Sequence, residues 1–544
     1  MAKLRENGEV TKYYNDFSGG VNLFLGPRQI KDNESPYAIN CDFKGKGGTG
    51  NREGYEQIGS AGATYDQGIF GMAEYHTSTK DQLIKFASDG SNVVLNYSDD
   101  GINWTAVTGT KFTDNLNMDV VQAVAGATLA NTDGTLFSFN GTDQMVKYNG
   151  VAWAAHTGAT KGFYGAYFDN RLWCRDEVYA DVLNYSTKTP DATKVLDFDT
   201  NGTSSNPGTI TFKPGSGAEI MGMINFKNQL YVFLRNSIFR IATTSSVNEF
   251  TVQLVTNAIG CVSNRTIKQV GEDIFFAADD GIYSLGDVAN YTEVRTTNKS
   301  SRVQMVFNNL TSTSKAKLSA SYYNFKYHLF YSNDGVNNDS CLVYDTRYGG
   351  WQDWRNIAAN SATLYTNSAE QTDLYFGHPT TGAVYKMYSG TTDDGTAIST
   401  TWKSKSFDED LFDVLKKFTV TTWNLGSLSG KVNLYVIFND TEVSSSITLS
   451  QINPTGGFGR VALGRANMVA TGTDLAVGGF GMVSDALSVD QVINTPWRLK
   501  AKGKKFAVQY KIENVNGSTW QLDSISQTFK PYRHRKFPSA YKLN

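Results

Sequence analysis

The chain has 544 residues, with 13% aromatic side chains and 51 glycines, a length beyond the usual single core. Its 50 basic and 52 acidic residues leave a net charge of −2, which excludes a polycation built to neutralise DNA over its whole surface. The four cysteines, Cys41, Cys174, Cys261 and Cys341, stand far apart without a C-x-x-C pair, against a zinc site or a disulfide framework; they read as reduced, buried apolar residues.

Met1 to Val10 is charged and has no apolar run, so no secretory signal is expected. No stretch reaches the roughly 20 apolar residues of a membrane span. Residues 1–60 read as an extended arm ending in a Gly-rich loop. Gly19-Gly20 permits backbone angles closed to other residues, and Pro27 and Pro36 keep the chain extended. Gly45-Lys46-Gly47-Gly48-Thr49-Gly50 spells G-x-G-x-x-G, but a phosphate-cradling loop must follow a strand and open a helix. This region is helix-poor, so a flexible loop is expected.

Residues 61–390 carry a repeat: a polar turn, a short apolar strand, another turn, then a strand ending in an aromatic. Aligning the copies on Leu83, Leu129, Leu172, Leu230, Ile274, Leu329 and Leu374 gives spacings of 46, 43, 58, 44, 55 and 45 residues. A four-stranded propeller blade occupies roughly 40 to 50 residues. Following strands such as Ile238-Phe239-Arg240-Ile241 and Ile282-Tyr283-Ser284-Leu285 alternate with period two, and Asp89-Gly90, Asp133-Gly134, Asp280-Gly281 and Asp334-Gly335 supply the reversals. The prediction is a β-propeller of about seven blades, six or eight also fitting, with aromatics such as Phe276 wedged between blades.

Ser389 to Gly395 is a polar linker. Beyond it, residues 391–544 change rhythm: Trp402–Phe407, Phe418–Trp423, Lys431–Phe438, Lys505–Ile512 and Trp520–Phe529 read as longer strands of a β-sandwich-like domain. A long Gly-rich insertion, residues 444–496, interrupts it and is expected to be functional or ordered by a partner. A basic tail with Arg533, Arg535 and Lys536 closes the chain.

No catalytic, cofactor or metal residues emerge. Tyr97-Ser98-Asp99-Asp100-Gly101-Ile102-Asn103-Trp104 resembles the Asp-box of sialidase-like propellers, a hairpin-stabilising turn remote from their chemistry. His76, His156, His328, His378 and His534 show no ligand spacing. Asn333 to Asp339 departs from calcium-loop spacing and reads as a turn.

The segment with Phe17, Gly19-Gly20-Val21-Asn22, Ile30, Glu34-Ser35, Asn40, Asp42 and Arg52-Glu53-Gly54 resembles the opening of tailed-bacteriophage tail nozzle or tail tubular (hub) proteins. There F-x-G-G-[LV]-N leads through I-x-x-x-E-S and N-x-D to R-x-G ahead of a β-propeller. Gly260-Cys261-Val262-Ser263-Asn264-Arg265, the strand running into Asp280-Gly281-Ile282-Tyr283, and Val343-Tyr344-Asp345 with Trp351 extend the resemblance. It implies a structural protein of the virion tail, made in the bacterial cytoplasm. Its partners would be its own copies, in a ring of six by analogy, and other tail or head-completion proteins. DNA would pass through the lumen without specific binding. The arm and the tail cannot bury enough surface alone to offset the entropy of ordering, so Phe17, Arg533, Arg535 and Lys536 are assigned to inter-subunit contacts. A glycan-binding or glycan-degrading receptor-recognition protein of a phage is the alternative, and on the residues above no enzyme is expected.

Overall fold

The computed structural model describes residues 3–4, 9–60, 64–109, 111–123, 134–156, 161–188, 196–198, 206–212, 218–287, 294–411, 414–440, 442–451, 470–471, 474–477, 493–498 and 505–532. Strands form 54% of the chain and helix 5%, so the protein is all-β. It divides into two compact units: residues 55–343 with 355–389, and residues 1–54 with 344–354 and 390–544.

In the first unit, six antiparallel sheets are built in sequence order. Their inner strands are Ile69–His76, Asp119–Ala123, Gly165–Phe168, Ile220–Phe226, Lys268–Val270 and Ser361–Thr366. These succeed one another round a closed ring, with the hairpin of Ser319–Tyr323 and Lys326–Tyr331 standing between the fifth and the last sheet. Closure uses the start of the unit: Tyr55–Ile58 pairs antiparallel with Val384–Met387 as the fourth strand of the last sheet. This unit is a β-propeller. It has six separate blades where the repeat suggests about seven. The copy marked by Leu329 is the hairpin, because the chain leaves the unit after Val343 and spends Tyr344–Trp354 in the other.

The repeat markers sit where a packing role puts them. Leu83, Leu172, Leu230, Ile274, Leu329 and Leu374 all lie on the second strand of their copy, fully buried; Leu129 lies outside the described residues. Neighbouring blades share apolar clusters, one of which joins Phe233 and Ile238 of the fourth blade to Ile274, Phe276 and Leu285 of the fifth. Phe276 stands 5.0 Å from Phe233, ring centroid to centroid. Burying 150–250 Å² per aromatic ring dominates such an interface.

In the second unit the sandwich-like domain takes the form of one sheet curled into a half-barrel. Its spine is two strands, Lys416–Phe438 and Val508–Pro531, of 23 and 24 residues, paired antiparallel along almost their whole length. Phe418–Trp423 and Lys431–Phe438 are therefore parts of one strand, as are Lys505–Ile512, from Val508, and Trp520–Phe529. Register shifts at Phe418/Val420, Asn424/Leu425, Leu425/Ser427 and Ser429/Lys431 bend the pair as β-bulges do. Alternate residues, among them Val432, Leu434, Val436, Tyr510 and Ile512, point into the core with Trp423 and Trp520. The arm belongs to this sheet: Val10–Tyr14 pairs with Val508–Pro531, Val10 opposite Phe529 and Tyr14 opposite Ile525. Arg533, Arg535, Lys536 and most of the 444–496 insertion lie outside the described residues.

Candidate functional site

In each unit one set of residues with chemistry beyond apolar packing stands out. In the half-barrel unit it is the arm segment that opens with Phe17. Gly20, at φ +72, lies beside the backbone of Trp351, with which it forms a parallel bridge. A Cβ there would stand 2.3 Å from the Trp351 carbonyl oxygen, so only glycine fits. Glu34 is buried and accepts from Asn22 Nδ2 at 2.8 Å and the Lys31 amide at 3.0 Å. Ser35 donates to the Lys403 carbonyl at 2.7 Å. Asn40 takes the Arg52 Nε–H at 3.0 Å and donates to the Ser399 carbonyl. Arg52 grips Asp393 with two nitrogens, at 2.8 and 2.6 Å. Burial pushes the Asp393 carboxyl up, and the guanidinium pulls it part of the way back. Trp354 Nε1 donates to the Cys41 carbonyl at 2.8 Å. These motif residues thus satisfy one another and the neighbouring backbone, and they hold the arm in the sheet. Phe17, assigned to an inter-subunit contact, is 3% exposed and packs edge-on to Trp402 in its own core.

In the propeller the inner strands surround an axial cavity of about 210 Å³. Asp119 and Lys268 open the inner strands of the second and fifth blades, and Arg265 sits in the turn just before Lys268. Ser319 enters from the hairpin and Ser361 from the last blade, while Met72, Met118 and Met223 supply an apolar wall. Arg265 is spent on its surroundings, donating to the carbonyls of Asn360 and Lys317 at 2.7 and 2.8 Å and to Asn360 Oδ1 at 2.9 Å. Burial pulls its pKa down to about 10. Asp119 accepts the Gly165 amide at 2.8 Å; burial pushes its carboxyl up, and this bond and the Lys268 charge pull it back. Burial lowers Lys268, against the attraction of Asp119. A glycosidase needs two carboxylates roughly 5 to 10 Å apart, and Asp119 is the one carboxylate among the described residues lining the cavity.

Sequence reasoning read Arg265 as part of a blade-forming motif and did not single out Asp119 or Lys268. The available signal was a charge at the first position of a short strand. Most of the other singled-out residues that the structure describes occupy turns or the core; His76 is exposed at the end of a strand, and His534 lies outside the described residues. Asp100 accepts from the Ile102 and Asn103 amides and the Ser98 hydroxyl, which hold its carboxyl well below the usual range. The G-x-G-x-x-G letters form the loop of a hairpin between Cys41–Phe43 and Thr49–Asn51, with a single 3-10 turn at Gly45–Gly47, and open no α-helix. Asp334 accepts the Val336 amide in a turn. His156 and His328 are buried against the Leu196 carbonyl and the Tyr388 hydroxyl. All four cysteines are buried and none forms a disulfide.

No family model matches the chain, and comparison with curated proteins returns no match. Among solved structures it is similar to PorZ, a surface component of the type-IX secretion system of Porphyromonas gingivalis. That likeness has 8% identity and a TM-score of 0.37, over 69% of this chain and 53% of the other, so the chain spans about half that protein's length. An exo-β-1,3-galactanase from Phanerochaete chrysosporium matches at 10% identity and a TM-score of 0.27, over 88% and 100% of the two chains. The extracellular domain of a hybrid two-component system from B. thetaiotaomicron matches at 11% and 0.35, over 74% and 47%. At these scores the likenesses carry no argument about function.

Proposed function

We propose that the chain is a structural component of a bacteriophage tail, of the nozzle or hub kind. Copies of it would form a ring round the channel through which DNA leaves, in contact with other tail or head-completion proteins. The observation that carries the reading is the junction of Gly20 with Trp351. Two motif segments more than 300 residues apart in sequence, each resembling the tail family, meet there backbone to backbone. Their side chains are consumed in holding a scaffold, which suits an assembly role better than chemistry. A near-neutral chain also suits a conduit, since each phosphate contact adds affinity that would slow DNA passage. We assign it no hydrolase activity.

Full-length protein is expected to form a ring-sized species in light scattering, with cyclic symmetry in negative-stain images. Deleting residues 533–544 is expected to leave a folded protein that assembles poorly. A protein that stays monomeric at its highest soluble concentration and releases sugar from host polysaccharide would overturn the proposal in favour of the glycan reading.

A further inference from the structure

The axial cavity of the propeller holds polar groups that folding leaves unspent. Ser319 lines the cavity and is 2% exposed, and its buried hydroxyl has no hydrogen-bond partner among the described residues. A buried hydroxyl without a partner costs about 1–3 kcal/mol, so a native fold tolerates one chiefly where something else completes it. Lys268 borders the same space, and its ammonium makes no hydrogen bond or ion pair among the described residues; Asp119 and Arg265 act on it only through their fields. Asp119, by contrast, is already occupied by the Gly165 amide and the Asn264 side chain. The free valences are donors: three N–H on Lys268 and the O–H of Ser319. Arg265 adds a second positive charge, so the three ionised groups sum to a net positive one.

We propose that this cavity is a binding site for a small oxyanion, a phosphate or carboxylate group held by the Lys268 ammonium and the Ser319 hydroxyl. Charge-assisted donors to such an anion are roughly twice as strong as neutral ones. The size limits the ligand. At about 210 Å³ the space is smaller than the roughly 300–1,000 Å³ of sites for larger ligands. It fits an ion or a compact metabolite. Met72, Met118 and Met223 also line the cavity and give an apolar surface for the ligand's carbon skeleton. The inference is independent of the tail assignment, because it uses propeller residues alone.

The test is calorimetric titration of the full chain in Tris–chloride buffer, free of oxyanions, with inorganic phosphate, acetate and glucose as separate probes. One phosphate or acetate per chain is expected to bind saturably, and the stronger of the two identifies the group. Lys268→Met should weaken binding by about tenfold or more and Ser319→Ala by a few fold, while Lys111→Ala, a surface lysine of the same unit, leaves it unchanged. Ser319→Ala also removes an unpaired hydroxyl, so in ion-free buffer it should melt at the same temperature as the parent or higher, and should lose part of the gain that phosphate confers. If Lys268→Met fails to fold, Lys268→Arg should retain binding and Ser319→Ala carries the comparison. The proposal is overturned if neither oxyanion binds, if binding survives Lys268→Met unchanged, or if glucose binds and the oxyanions do not.

Discussion

The packing of Phe233 against Phe276 is a direct measure of whether aromatic wedges hold the blades together. Both rings are fully buried, one on the fourth blade and one on the fifth, with planes inclined at 56°. Phe276 also lies over Tyr283 of its own blade, 6.2 Å away and nearly parallel. Replacing a buried phenylalanine with alanine costs about 3–5 kcal/mol through lost transfer energy and the cavity left behind. An offset aromatic pair adds about 0.5–1.5 kcal/mol beyond the area it buries. Phe233→Ala and Phe276→Ala should therefore each cost about 3–5 kcal/mol, and the double variant should fall short of their sum by about 1 kcal/mol or more, because the second truncation enters a cavity already opened. Urea denaturation measures the totals. Hydrogen exchange read by mass spectrometry assigns them, and protection should fall in Asp273–Ala277 and Gln229–Leu234 while the half-barrel strands stay unchanged. Additivity within about 0.3 kcal/mol, or a cost below about 1 kcal/mol for Phe276→Ala, would refute the wedge argument.

Other consequences follow from single side chains. Arg52→Met strands a buried Asp393, so a loss of about 3–5 kcal/mol is expected, with much of it recovered in Arg52→Met/Asp393→Asn, as measured by chemical denaturation. Gly20→Ala must place a Cβ against the Trp351 backbone at positive φ, whereas Gly390, at φ +65, has open space at the same position. The first variant is expected to lose more than about 2 kcal/mol and Gly390→Ala about 1 kcal/mol; equal losses would count against the close approach. Lys85 is buried, with its ammonium 4.4 Å above the Trp104 ring and one hydrogen bond to the Gly382 carbonyl. Burial lowers its pKa to about 8 from 10.5. The unfolded chain then holds its proton to higher pH than the native one, so stability should rise between pH 8 and 10.5, by about 3 kcal/mol at most. Lys85→Met should flatten that rise and raise stability at pH 7.

The propeller was legible because its information is local. The six described marker residues fall on second strands, and Asp89-Gly90 turns where expected, with Gly90 at φ +87. The strands of the half-barrel were half legible: their alternation was readable, but Phe418–Trp423 and Lys431–Phe438, read as two strands, are parts of one bent strand that runs through Gly426 and Gly430. The arm's attachment was hidden, since nothing near Val10–Tyr14 announces a partner at Ile525 to Phe529. The axial cluster was hidden for the same reason. Asp119, Lys268 and Ser319 lie on different parts of the ring, and ring closure, which no short window of sequence displays, brings them together.

Thr11 and Thr528 join hydroxyls at 2.9 Å across a separation of 517 residues. During synthesis at about 5–20 residues per second, the arm therefore waits roughly half a minute to two minutes before the strand it pairs with exists. Tyr55–Ile58 needs its partner at Val384–Met387, so the propeller can close during that interval while the arm is still an unpaired edge of the kind that invites sticking between nascent chains. Completion of the half-barrel therefore comes last: a truncated product can own a finished propeller but lacks the sheet that receives the arm.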